Sequence, residues 1–284
     1  MFAPYDYRRE AASQLDRSKL FFTFINSTAL YILAYVVLYT LFEIVTSNTA
    51  WIGFNIKSII FYHKIDFRVS ADVWNPQNVI TTFTAGPVFC LIMSWVFFRL
   101  YKVTKKRPGY LKLLFFWLYL HGVNFFFGFY VAGVITSTNF HWVTNYLRVT
   151  RKIEYVIAFI CVLIQFAIGY FSTKGFLQMS PSKNLIERYN RRLFVFCVCI
   201  GPWMVGSIVL TVFKLPNILI HEMLVYLMMF TFAVPVVLIQ RSFLEVMLVR
   251  QVKALSFSWP FILGCIGALI LFRSIFQFGL KIGT

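Results

Sequence analysis

A charged or strongly polar side chain inside an apolar stretch is costly to place in a bilayer, so chemistry is sought there first. This sequence offers few such residues. Asn26 lies inside the first apolar stretch and Glu43 near its end, His121 and Asn124 lie inside the third, and Glu154 and Gln165 belong to the fourth. His121 and Asn124 are three apart and share one helical face. Each needs a partner there, either as a polar contact between helices or as a group facing a cleft. Glu43 and Glu154 stand near span ends, where a carboxylate reaches water or headgroups or hydrogen-bonds within the bundle. The other histidines are His63, His141 and His221, and no two histidines are three or four apart. No helix therefore presents a histidine pair to a metal from one face. His221 and Glu222 are adjacent, but on a helix their side chains diverge by about 100°, which reads as an interfacial pair. Cys90, Cys161, Cys197, Cys199 and Cys265 are odd in number and form no C-x-x-C pair. They read as small apolar packers rather than a disulfide framework or a zinc knuckle. On the residues alone, no metal and no cofactor is expected.

The elements that must position these groups are membrane helices. The chain is 60% hydrophobic and 20% aromatic, with 13% charged residues, and its mean hydropathy is +0.74. A soluble domain carries about 25% charged residues. Seven stretches are long enough to cross a bilayer: Leu20–Val45, Val79–Leu100, Leu113–Thr136, Ile153–Thr173, Leu193–Phe213, Ile218–Ile239 and Leu255–Phe272. Only Lys214-Leu215-Pro216-Asn217 separates the fifth from the sixth, which predicts a tight helical hairpin. Residues 1–19 are polar and do not read as a signal peptide, so the first stretch is expected to remain as a membrane helix. In loop 46–78, Ile65-Asp66-Phe67-Arg68-Val69 and Phe54-Asn55-Ile56-Lys57 alternate apolar and polar residues, which predicts a small β-hairpin lying on the membrane. Asn75-Pro76 follows as a turn signal. The expected fold is an all-α polytopic membrane protein of seven transmembrane helices with that hairpin in its first loop. It divides into a polar segment (1–19), a three-helix core (20–152) and a four-helix membrane region (153–284).

The 27 Lys and Arg outnumber the 10 Asp and Glu, giving a net charge of +17. In a soluble chain that excess would suggest nucleic acid. Here it sits in loops, 18 basic residues on one side of the membrane and 9 on the other. Basic loops are retained on the cytoplasmic side, which predicts a cytoplasmic N-terminus. Lys102, Lys105, Lys106 and Arg107 fit contact with anionic lipid, and no nucleic-acid partner is expected. Trp51, Trp74, Trp142, Tyr146 and Trp259 at span ends fit interfacial anchoring.

Three segments in order resemble the site-2 protease family of intramembrane zinc metalloproteases. Phe42-Glu43-Ile44-Val45-Thr46 ends the first span ahead of the hairpin loop, Ala85-Gly86-Pro87 lies in the second, and Asn124 precedes Ala132-Gly133 in the third. That family carries H-E-x-x-H on its first core helix, then a membrane-associated β-hairpin, an A-G-P stretch on the second core helix, and an Asn eight residues before a metal-binding Asp on the third. The intervals Phe42–Ala85 (43 residues) and Ala85–Gly133 (48 residues) are of the family's size. The resemblance covers residues 20–136 and implies a helix cleft. Its metal-ligand positions, however, fall on Phe42, Thr46 and Ala132, while Glu43 alone keeps the general-base position. A catalytic zinc needs three protein ligands and an activated water. Phe and Ala cannot ligate zinc and Thr does so poorly, so the resemblance implies a degenerate, non-catalytic member in a bacterial inner membrane.

The expected function is binding or scaffolding of another integral membrane protein through that cleft, with Glu43, His121 and Asn124 as its polar groups. An alternative is a structural subunit of a secretion, motility or transport assembly. There the last four spans would make the contacts, with Gly201, Gly206, Gly264 and Gly267 allowing close helix packing. A further alternative is an unrecognised membrane enzyme or transporter. Against it, the chain has no internal repeat of the transporter kind and a thin supply of acidic residues.

Overall fold

The computed structural model describes residues 7–104, 109–180, 185, 190–242 and 257–283, with side chains of the first helix from residue 17 onward. Helix α1 (Tyr7–Phe54) leads into strands β1 (Ser58–Ile60) and β2 (Ile65–Phe67), and a 3-10 turn (Ala71–Val73) precedes α2 (Pro76–Val103). Then come α3 (Tyr110–Thr136), the short α4 (His141–Tyr146) and α5 (Arg151–Leu177). Next, α6 (Arg191–Val195) runs through a π-helical turn (Phe196–Ile200) into α7 (Gly201–Phe213). The last elements are α8 (Ile220–Met228), α9 (Phe230–Ile239), α10 (Trp259–Gln277) and β3 (Leu280–Ile282). Seven helices are long and apolar enough to cross a membrane: α1, α2, α3, α5, α6–α7, α8–α9 and α10. The chain is thus an all-α multi-pass membrane protein, as its hydropathy predicted. Lys105, Lys106 and Arg107 lie outside the described residues.

Local chemistry sets the boundaries. Asn55, with φ 54°, takes the left-handed conformation that ends α1, a role Asn fills readily. Phe54–Lys57 is therefore a helix end and not the expected strand; pairing starts at Ser58. Asn75 caps α2 by accepting from the Asn78 backbone N–H, while the Asn78 side chain returns a bond to the Asn75 N–H. Pro76 follows at the first helical position, where its missing N–H costs nothing. The Asn-Pro turn signal is thus the start of a helix.

The hairpin is also larger than expected. β3 adds antiparallel to β1, so the sheet order is β2-β1-β3. The segment after the seventh span consequently meets the loop after the first, at one end of the bundle. The α3–α4 and α7–α8 connections meet the hairpin at the same end. At the other end, Asn26 of α1 accepts from the Ser258 backbone N–H, just before α10. The connection through Lys214 and Asn217 contains a cis Leu215–Pro216 bond.

α3 is the central helix and packs against α1, α2, α5 and α8. Tyr31, Tyr35, Tyr39 and Phe42 recur every three or four residues along α1 and make one aromatic face. That face meets α3 through Tyr31 with Trp117, and through Phe42 with Phe125 and Phe129. Gly206 of α7 allows the Tyr31 ring to lie against the backbone, and a Cβ there would collide with it. A Cβ on Gly201 would lie 2.6 Å from the Phe24 ring. Gly264 and Gly267 of α10 differ, with open space beside both.

Candidate functional site: a polar cleft under the hairpin

The last turns of α1 place Tyr39, Phe42, Glu43 and Thr46 on one side of the helix, because residues three, four and seven apart share a face. All four line a cavity of about 330 Å³. His63, Lys64, Ile65 and Phe67 of the hairpin form another wall. Phe83 of α2, Phe129 of α3, Thr138 and Asn139 before α4, and Trp142 of α4 enclose it further. Leu219, His221 and Glu222 at the start of α8 complete it. An aromatic box of about 430 Å³, lined by Phe67, Trp74, Val79, Phe83, Trp142 and Tyr146, shares three of these residues and adjoins the first cavity.

Beside the cavity lies a buried charge cluster. The Lys214 ammonium donates to Glu222 Oε1 at 2.6 Å, and the Tyr39 hydroxyl donates to the same oxygen at 2.7 Å. The ammonium also sits 3.7 Å from the centre of the Tyr39 ring, a cation–π contact. Burial pushes the Lys214 ammonium below its ordinary range, while the charge of Glu222 and its hydrogen bond, and then Glu43, oppose the shift. Burial and the positive charges of Lys64, Lys214 and Arg273 push His63 down as well.

The cluster is not closed on itself. Among the described residues, Glu43 Oε2, Glu222 Oε2, His221 Nε2 and His63 Nδ1 have no hydrogen-bond partner. An unsatisfied buried polar atom costs about 1–3 kcal/mol, and these four belong to residues that line one cavity. The other ring nitrogen of His221 lies 3.3 Å from the Thr136 hydroxyl and 3.4 Å from that of Thr138.

Two of the three positions matched to metal ligands line this cavity, and the third lies behind its wall. Phe42 and Thr46 line it, and Ala132 is fully buried, its backbone meeting His221. Gly86 of the Ala-Gly-Pro stretch touches the same spot: a Cβ there would collide with the Thr46 hydroxyl and lie 2.9 Å from the Phe42 ring. Among the described residues no group of three or more His, Cys, Asp or Glu could hold a metal ion.

The expected polar residues separate. Glu43 lines the cavity, whereas His121 and Asn124 are not in its wall. His121 packs against Tyr31, Tyr35 and Trp117. Asn124 joins helices: its amide donates to the Val225 carbonyl at 2.8 Å and accepts from Gln165 Nε2 at 3.0 Å. The Thr231 hydroxyl reaches Gln165 Oε1 at 3.0 Å. Glu154 does not reach for solvent. It accepts from the Thr144 hydroxyl at 2.5 Å, and pairs with His141 Nδ1 at 2.9 Å and Arg151 Nη1 at 3.1 Å.

Three residues of the site are not marked as such by the sequence. His221-Glu222 read as interfacial, and Lys214 counted only as a loop charge. The available signal was a single basic residue in a four-residue connection, eight positions before a glutamate at a span start. No protein-family model, curated protein or solved structure matches the chain.

Proposed function

We propose that this chain is a non-catalytic membrane protein whose core resembles that of the site-2 proteases, and that it binds another integral membrane protein in the cleft under its hairpin. A bacterial inner membrane is the setting that the resemblance implies. One observation carries the reading. Two of the positions matched to metal ligands, Phe42 and Thr46, line one cavity with Glu43, the third, Ala132, meets His221 of its wall through its backbone, and none of the three side chains is a zinc ligand. Such a cleft retains room and polar groups without the ligands that would activate a water. The basic loops hold the protein against anionic lipid.

The test is position-specific photocrosslinking. A photoreactive phenylalanine at Phe67 or Phe83 is expected to give a discrete adduct with one membrane protein. The same group at the exposed outer positions Ile160 or Ile208 is expected to give none. Equal adducts from all four positions would remove the cleft from the reading. Metal analysis tests its other half: one bound zinc per chain, lost in Glu43→Gln, would overturn the non-catalytic assignment.

One observation favours the subunit reading as a second choice. The open space beside Gly264 and Gly267 leaves a flat strip on α10 against which another helix could pack closely. Co-purification at fixed stoichiometry that Gly264→Leu abolishes would favour it.

A further inference from the structure

The unsatisfied atoms of the cleft describe what they lack. Glu43 and Glu222 are 6% and 5% exposed, and each has one carboxylate oxygen without a partner. A carboxylate oxygen only accepts hydrogen bonds. The two unpartnered imidazole nitrogens, His63 Nδ1 and His221 Nε2, accept when their rings carry the proton on the other nitrogen. A group that satisfies this set must therefore bring several donors at once.

Charge and shape narrow the choice. Lys214 is committed to Glu222 Oε1, and Lys64 stands solvent-exposed at the rim, so neither ammonium satisfies the two free oxygens. Much of the remaining wall is aromatic, with Phe42, Phe129 and Trp142 beside Thr46, Thr138 and Asn139, and aromatic faces attract cations. The adjoining aromatic box supplies an apolar passage for a hydrocarbon stem. The protein already displays this chemistry once, in Lys214, whose ammonium rests on the Tyr39 ring and bonds to Glu222.

We propose that the cleft binds a primary alkylammonium group, the side chain of a lysine near the membrane surface of the partner, with the ammonium between Glu43 and Glu222 and the stem along the aromatic box. This inference rests on the partner-binding reading and names the chemistry of the occupant.

The probe is n-butylammonium, titrated calorimetrically into the full chain in phosphatidylcholine nanodiscs, with 1-butanol and butyrate as matched controls. Butylammonium is expected to bind at least about tenfold more tightly than either control, since a charge-assisted hydrogen bond is worth that factor or more. Glu43→Gln is expected to lower its affinity about tenfold. If that variant fails to fold, Glu43→Asp, which withdraws the carboxylate by one methylene, serves in its place. Butanol binding as tightly as butylammonium, no binding of butylammonium, or affinity unchanged in the Glu43 variant would each overturn the proposal. Competition separates the sources of the ammonium. N-acetyl-lysine amide is expected to displace the probe. Displacement by phosphatidylethanolamine in the nanodisc, and not by the lysine amide, would assign the site to lipid and overturn the polypeptide occupant. The titration uses no partner, so its failure beside intact cleft crosslinks removes the occupant and leaves the partner reading standing.

Discussion

Glu154 and Glu43 are alike in sequence, each an acidic residue near the end of an apolar stretch, and both are buried. Their surroundings differ. Around Glu154 a hydroxyl, an imidazole and a guanidinium converge, and Arg151 Nη2 goes on to donate to the Val134 carbonyl at 2.7 Å. That arrangement ties the start of α5 to the end of α3 and to the connection between them. Around Glu43 one oxygen remains free beside an open cavity. A satisfied buried carboxylate holds structure together, whereas an unsatisfied one costs stability. Burial alone does not separate the two cases; the count of partners does.

The largest effect should come from the cluster's one buried cation. Lys214→Met leaves the Glu222 carboxylate buried without its ion partner and is expected to cost about 3–5 kcal/mol, read from detergent-titrated unfolding. Adding Glu222→Gln should restore part of that loss. Next, Glu154→Ala should cost about 2 kcal/mol through its charge-assisted bonds, while Glu43→Gln, which removes no bond at the free oxygen, should cost less, under about 1 kcal/mol. Equal losses in these two variants would erase the contrast between the sites. Asn124→Ala strands the Gln165 amide and should cost about 1–2 kcal/mol, with the cleft's butylammonium affinity unchanged. A drop in that affinity would join Asn124 to the cleft after all. Changes at two glycines come next. Gly206→Ala should lower the unfolding free energy by about 1 kcal/mol because of the Tyr31 ring. Gly264→Ala, in open space, should raise it by up to about 1 kcal/mol through helix propensity.

The seven spans were legible because length and hydropathy suffice to identify a bilayer-crossing helix. The strand at Ile65–Phe67 was legible by its period of two. Its neighbour was misplaced because Phe54–Lys57 alternates by chance across a helix end, where the backbone of Asn55 decides. β3 left no readable signal: three residues in the segment after α10 pair with a strand about 220 positions earlier, and short alternation carries no address. The cleft was legible only at Glu43, since its other groups arrive from separate elements. His221 and Glu222 were set aside because adjacent helical side chains diverge. That divergence is what makes both useful: His221 turns to Thr136 and Phe129, and Glu222 to Lys214 and Tyr39.

The pairing of β3 with β1 has a consequence for synthesis. β3 leaves the ribosome after the seventh span, whereas β1 and β2 emerge after the first. The sheet whose outer strand walls the cleft is therefore finished last. Its strands meet only when the number of crossings between them is even. A chain that fails to insert one helix delivers β3 to the opposite face of the membrane, where β1 is out of reach. Completion of this small sheet thus records that an even number of the intervening helices was inserted.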